Sequence, residues 1–296
     1  MATGMMTSLD CLPCFVRQAL EAARAVTGNP VIHEQILHDA LHMIAGADLS
    51  QPPPVLGQRL HRRLRELTGN PDPYRSAKER FNGLALRLRL ELTDRMKAAA
   101  NPFEMAVRLA TAGNVIDLAA KTGLTDDDVR RELELALTGP IAGDLDSFRT
   151  STKTAARILY LADNAGEIVF DRLLIEQLPA GRVTVAVRGS PVINDATRMD
   201  AQVAGLDHIA EVIDNGSDAP GTVLEDCSPE FRAHFEHADV IVSKGQGNFE
   251  TLSGAEANIF FILKIKCPIV AAQTGLRLGT HALIHLSNGS KRRLNA

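Results

Sequence analysis

Asp163, Asn164 and Glu167 stand together in LYLADNAGEIVFDRLL, residues 159–174, where an apolar run gives way to helical spacing. Asp195, in the later segment INDAT, supplies a second aspartate. Asp163, Asn164 and Asp195 offer only oxygen donors, the set suited to a hard cation such as Mg²⁺ or Mn²⁺ that keeps waters for a phosphate. Zinc would call for imidazole or thiolate. A third polar cluster, SKGQGN at 243–248, places two glycines beside Lys244. In such a turn backbone N–H groups and an ammonium can face an anion, which predicts a phosphate cradle from Gly245, Gly247 and Lys244. A carboxylate-held cation beside a phosphate cradle is the minimum equipment for phosphoryl transfer to water, because the metal polarises the phosphoryl oxygens and lowers the pKa of a water.

Each residue also has a plainer reading. Asp and Asn cap helices, so Asp163 alone would be weak evidence. Three polar clusters behind three separate apolar runs shift that balance. Asp163 could instead open an aspartyl-phosphate mechanism as a nucleophile; Asn164 beside it, with Asp195, favours a ligand. Glu167 could cap its helix, support the metal ligands or act as a base, and support of the ligands is the expected role. GQGNFE is not a dinucleotide fingerprint, since Glu250 occupies the third glycine position, and no G-x-x-x-x-G-K-[ST] loop occurs.

The elements that must position these groups fall into two regions. From Cys14 to about Ala142 apolar residues recur at three- and four-residue spacing, as in FVRQALEAARAV and LGQRLHRRLREL, which predicts successive amphipathic helices. TGNP at Thr27, the prolines at 52–54 and TGNPDP at Thr68 read as helix stops and turns. From Arg157 short β-branched runs take over: RILYLA, RVTVAVR, IAEVID, DVIVS and PIVAA. They alternate with helical segments, which predicts right-handed crossovers and a mainly parallel sheet. The expected fold is α/β, a mainly parallel Rossmann-like sheet with helices on both faces, preceded by an all-helical region. The boundary is placed between a helical region 1–145, packing on or capping the site, and an α/β metal- and phosphate-binding domain 146–296. Ligands of such sheets bind beyond the carboxyl ends of the strands, where all three polar clusters fall.

Composition limits the alternatives. With 45% hydrophobic and 23% charged residues the 296-residue chain is ordinary for a globular protein, and a net charge of -4 gives no footprint for nucleic acid. No apolar run is long enough to cross a bilayer and MATGMMTSLD lacks signal-peptide character, so a cytoplasmic protein without a membrane partner is expected. Cys11 and Cys14 flank a proline and could be a redox pair, a metal pair or two reduced thiols; Cys227 and Cys267 read as core thiols. The basic run HRRLRE at 61–66 reads by default as the solvated face of a helix.

DNAGEIVFDRLLIEQL, INDAT, NGSDAPGT, SKGQGNFETL and FFILKIKCPIVA, in this order, closely resemble the family called domain of unknown function 89, the metal-dependent damage-control phosphatases. AGNVID at 112–117, NPFE at Asn101 and CLPCFVRQA near the start extend the resemblance, and the CxxC is similar to that of the microbial branch. Residues 273–296 match no pattern. The resemblance implies a divalent cation on Asp163, Asn164 and Asp195, and phosphate contacts from Lys244, Asn248 and Asn114. The expectation is therefore a phosphatase hydrolysing small phosphorylated metabolites by metal-activated water, with Mg²⁺ or Mn²⁺ first and Co²⁺ or Ni²⁺ as further candidates. Asp163, Asn164 and Lys244 are expected to be catalytic, and Asn114, Glu167, Lys244, Gly245, Gly247 and Asn248 to bind substrate. The alternatives are an S-adenosylmethionine-dependent carboxyl methyltransferase and a non-catalytic metal- or phosphate-binding protein. The oxygen-ligand set argues against the methyltransferase.

Overall fold

The computed structural model describes residues 4–113 and 126–287. Helices α1 (Cys11–Val26), α2 (Pro30–Ala45), α3 (Pro53–Thr68), α4 (Arg75–Ala98) and α5 (Pro102–Ala112) come first, and α6 (Asp126–Thr138) begins beyond residue 125. The punctuation seen in the sequence explains where they start. The Asn29 side chain accepts from the Val31 N–H (3.0 Å) and that of Asn101 from the Glu104 N–H (3.3 Å), each with proline in the next position. An amide cap satisfies an orphan N–H, and a proline at the first helical position has none to satisfy. Gly69, at φ 62°, ends α3 in the left-handed conformation that glycine adopts without penalty.

A seven-stranded sheet follows: β1 (Ile141–Gly143), β2 (Ile158–Leu161), β3 (Val183–Val187), β4 (Glu211–Asp214), β5 (Val240–Lys244), β6 (Ile259–Lys264) and β7 (His281–Leu286), in the order β1-β7-β6-β5-β2-β3-β4. Every pairing is parallel except β6 with β7. The chain runs outward from β2 through β3 to β4, then returns to lay β5 on the other side of β2. That reversal opens a crevice at the carboxyl ends of β2 and β5, the place where open α/β sheets hold ligands.

The remaining helices are α7 (Leu145–Thr154), α8 (Glu167–Ile175), α9 (Arg198–Ala204), α10 (Pro229–His237), α11 (Gln246–Leu252) and α12 (Pro268–Thr274). Two expectations are corrected. PIVAA is not a strand but the start of α12, where Pro268 takes the first helical position; the strand before it is IFFILK. Part of the unplaced tail forms β7, paired antiparallel to β6.

Strand alternation divides the core. Ile158 and Tyr160 point to the side packed by α4, α5, α6, α8 and α9, while Leu159 and Leu161 point to the side packed by α10, α11 and α12. Three of the N-terminal helices therefore belong to the main core, and β1 precedes residue 146. Helices α1 to α3 enclose a separate cluster around Phe15, Ile36, Leu60 and Leu64. Among the described residues, no helix is long and apolar enough to cross a membrane.

Polar contacts join α3 to the α/β body, which corrects the reading of HRRLRE as a solvated face. Arg62 Nε lies 3.0 Å from both Asp218 carboxylate oxygens, Arg65 pairs with the same carboxylate, and Gln58 Nε2 reaches Asp218 and Asp226 at 2.7 Å each. His61 is buried, which together with nearby Arg65 pushes its pKa down to about 4, so it stays neutral. Burial alone would raise the Asp218 pKa, but hydrogen bonds from Arg62 and Gln58 outweigh it and hold the group at about 2.

A carboxylate whose pKa is lowered on folding stabilises the fold above its unfolded value and loses that contribution as pH falls through its folded value. The Asp218 clamp should therefore be fully formed above about pH 5 and fade toward about pH 2. Asp218→Asn is expected to cost about 1–3 kcal/mol near neutrality. Urea melts across this pH range should show the gap between wild type and variant closing on acidification; a gap that stays constant would refute the assignment.

Candidate active site

Asp163 follows β2 at the crevice. Two backbone hydrogen bonds fasten the 192–196 loop to its turn: the Ala196 N–H donates to Asp163 O (2.7 Å) and the Ala165 N–H to Asn194 O (2.8 Å). Asn164 and Asp195 thereby pair as an isolated antiparallel bridge. The adjacent Asp163 and Asn164 thus meet the distant Asp195 at one strand end. Asn164 Nδ2 donates to Asp163 Oδ2 (2.8 Å) and approaches Glu167 Oε2 (3.4 Å), so the amide is oriented by the two carboxylates.

From β5, Gly245 completes the other wall. Its φ of 79° suits glycine, and a Cβ there would fall on the Asp163 carboxylate. Its N–H donates to Ile262 O (3.0 Å), and Gly247 packs against the Pro220 carbonyl. The two glycines allow close approach of protein to protein, and the Gly245 N–H is turned to β6 rather than to an anion.

Lys244, expected to face an anion, instead faces protein groups. It is fully buried, and its three donors go to Ala110 O at 2.8 Å and to Glu167 Oε1 and Asp171 Oδ1 at 2.5 Å each. Burial would lower its pKa; the charges of Asp171 and Glu167 raise it instead, so it remains an ammonium. As placed, no donor is left for a phosphate. Asn248 is likewise engaged: Nδ2 donates to Lys244 O (2.8 Å), and Oδ1 accepts from Thr222 Oγ1 (2.8 Å) and Arg188 Nη2 (3.1 Å). Asn114 lies outside the described residues; its predecessor Gly113 ends α5 against Glu167, where a Cβ would come within 2.8 Å of Cγ.

Reading the sequence missed three groups. Arg188, at the end of β3, is 3% exposed, donates to Asp195 Oδ2 (2.7 Å) and lies 4.0 Å from Asp163 Oδ1. Asp171 sits four residues after Glu167, hence on the same face of α8. Two acids at helical spacing in the largely apolar EIVFDRLL were the available signal. Lys266, exposed after β6, is close enough for its positive charge to favour the ionised form of Asp163.

Asp163, Asp195, Glu167 and Asp171 thus crowd against two buried cations, Lys244 and Arg188. Burial raises the Asp163 pKa well above the carboxylate range, Asp195 and Glu167 raise it further, and Arg188 and Lys266 oppose them. Among the described residues no three His, Cys, Asp or Glu side chains converge as a metal site. The expected set is of another kind, two carboxylates with an amide. Its all-oxygen chemistry and its excess of negative charge fit a hard divalent cation. Beside Arg188, a cleft of about 350 Å³ opens between α4 and the loop after β3, lined in part by Lys78, Ser190, Thr197 and Asp200.

Cys11 and Cys14 are free thiols at the start of α1, with Gln18 Nε2 3.3 Å from Cys14 Sγ. Cys227 is buried, as expected of a core thiol, whereas Cys267 is only half-buried.

A family model described as the damage-control phosphatase ARMT1-like domain matches residues 7–281. An uncharacterized protein of Methanocaldococcus jannaschii is 36% identical, over 93% of this chain and 94% of its own. A damage-control phosphatase of Pyrococcus horikoshii is 34% identical over 97% of this chain and all of its own, and one of Archaeoglobus fulgidus 33% identical over 93% and 97%. A crystal structure of a DUF89-family protein from Pyrococcus horikoshii superposes with a TM-score of 0.85 at 34% identity, covering 95% of this chain and 99% of that one.

Gly245→Ala places a side chain on the Asp163 carboxylate in a backbone region that disfavours it. It should cost about 1–3 kcal/mol of stability and displace Asp163. Thermal unfolding and Mn²⁺ titration check this together; a variant with wild-type melting and wild-type Mn²⁺ affinity would contradict the geometry.

Proposed function

The chain belongs to the family of damage-control phosphatase ARMT1-like domains, and on that premise we propose that it is a metal-dependent phosphatase acting on small phosphorylated metabolites. The observation that carries the reading is the junction of Asp163, Asn164 and Asp195 at the β2–β5 crevice, where carboxylates outnumber buried cations. Mg²⁺ or Mn²⁺ held by these three residues would supply charge neutralisation and Lewis-acid polarisation of the phosphoryl oxygens.

The chain's own groups do the rest. Arg188 holds Asp195 in place through Nε and keeps positive charge 4.0 Å from Asp163, where it can offset developing negative charge. Glu167, fixed by Lys244, faces Asn164 and is placed to orient the amide or accept a proton from water. Lys266, exposed after β6, adds positive charge that acts on Asp163. The cleft beside Arg188 has the size of small-molecule sites and offers room for the body of a metabolite. Lys244 and Asn248 act from beneath, through the residues they hold.

Inorganic phosphate release from sugar phosphates and an aryl phosphate, measured with EDTA and then with Mg²⁺, Mn²⁺, Co²⁺ or Ni²⁺, tests the reading. Turnover should vanish with EDTA and return with metal; absence of turnover with every metal and substrate would sink it. Asp163→Asn should abolish turnover while leaving the melting temperature of the metal-free protein unchanged or higher, because the substitution relieves carboxylate crowding at a functional site.

A further inference from the structure

Behind Glu167 and Lys244 lie two buried polar groups, Tyr160 and Asp171, to which the reaction assigns no role. Tyr160, on β2, is fully buried, and its hydroxyl donates to Asp171 Oδ1 at 2.9 Å. Burial first, and the Asp171 charge next, push the phenol pKa well above its usual value, so Tyr160 stays a donor. The same Asp171 oxygen accepts from Lys244 Nζ at 2.5 Å, and Lys244 in turn grips Glu167 Oε1 at 2.5 Å. Asp171 Oδ2 is buried with no hydrogen-bond partner among the described residues.

This arrangement is costly on general grounds. An unpartnered carboxylate oxygen in the interior loses its hydration without compensation. Two carboxylates also share one ammonium. With Glu167 alone, Lys244 could lie anywhere on the arc its flexible stem allows; with Asp171 and Ala110 O as second and third acceptors, the ammonium has one position. Glu167 is then held at a defined distance from Asn164.

We propose that Asp171, supported by Tyr160, is a positioning residue that fixes the Lys244 ammonium and through it the Glu167 carboxylate facing the Asp163–Asn164–Asp195 site. Neither side chain touches the site itself. The inference rests on the metal-dependent reading above, and its tests are separable from that reading. Residues that orient metal ligands at one remove change metal affinity or activity by about 10–100-fold when replaced.

The experiment compares wild type, Asp171→Asn and Tyr160→Phe for kcat and KM of phosphate release, for Mn²⁺ affinity by electron paramagnetic resonance, and for thermal unfolding. Asp171→Asn is nearly isosteric and should lower kcat at least tenfold with KM within about twofold, and weaken Mn²⁺ binding about tenfold, in a folded protein. Tyr160→Phe removes one hydrogen bond and should shift the same quantities in the same direction by a smaller factor. A folded Asp171→Asn with wild-type kcat and wild-type Mn²⁺ affinity overturns the proposal, as does a loss of kcat that only follows the loss of folded protein. If Asp171→Asn does not fold, Tyr160→Phe decides by the same criteria. If the wild type has no turnover with any metal, the phosphatase reading fails by itself, and the Mn²⁺ titrations then decide the role of Asp171.

Discussion

Lys244 carries a positive charge at the end of β5 with no access to solvent, and the architecture around the crevice follows from the need to pair it. A desolvated ammonium is tolerated only when its donors are satisfied and its charge is matched. Here the three donors are divided between the carbonyl of Ala110 on α5 and two carboxylates of α8. One side chain therefore ties the sheet to two helices of the same face, and α8 starts directly behind Asp163 and Asn164. The register of α8 against β5 is set by chemistry as well as by the apolar packing of Ile168, Val169 and Phe170.

The second constraint is the meeting of β2 and β5 at the reversal of strand order. Asp163 can lie against the β5 turn only because Gly245 has no side chain, and the 192–196 loop can fold over it only through the paired backbone hydrogen bonds at Ala165 and Ala196. Arg188 threads beneath, joining Asp195, Asn248 and Thr222. Repelled carboxylates are held close by groups that are themselves well satisfied. Such a local conflict within a consistent fold is the pattern expected of a binding site, where function is kept at some expense of stability.

The N-terminal helices divide by their means of attachment. Helices α4 to α6 share the apolar core of the sheet, whereas α1 to α3 have a core of their own and add polar contacts from Gln58, Arg62 and Arg65 to Asp218 and Asp226. Arg65 also donates to Pro191 O at 2.7 Å, which links α3 to the loop that ends in Asp195. Asn82 of α4 accepts from the Gly166 N–H and donates to Asp200, bracing the same turn from another side. The helical region thus supports the crevice through side chains that reach backbone groups of the site's own loops.

The sequence by itself determined the α/β class, most of the strands and the three residues at the crevice, because these depend on local periodicity and on residue types that stay polar at strand ends. Asp163, Asn164 and Asp195 could be named from their chemistry, and TGNP at Thr27 as a break between helices. PIVAA misled because a short apolar run is ambiguous and Pro268 suits a helix start as well as a loop. Only the tertiary structure decided what Lys244 and Asn248 touch, since a lysine after a strand can face solvent, anion or carboxylate with the same local signature. Arg62 and Arg65 looked like a solvated face because their partner, Asp218, is more than a hundred residues away in the chain. Arg188 and Asp171 passed unnoticed for the same reason: a buried charge is defined by its partners, and those are brought together by the crossing of strands and helices rather than by spacing along the chain.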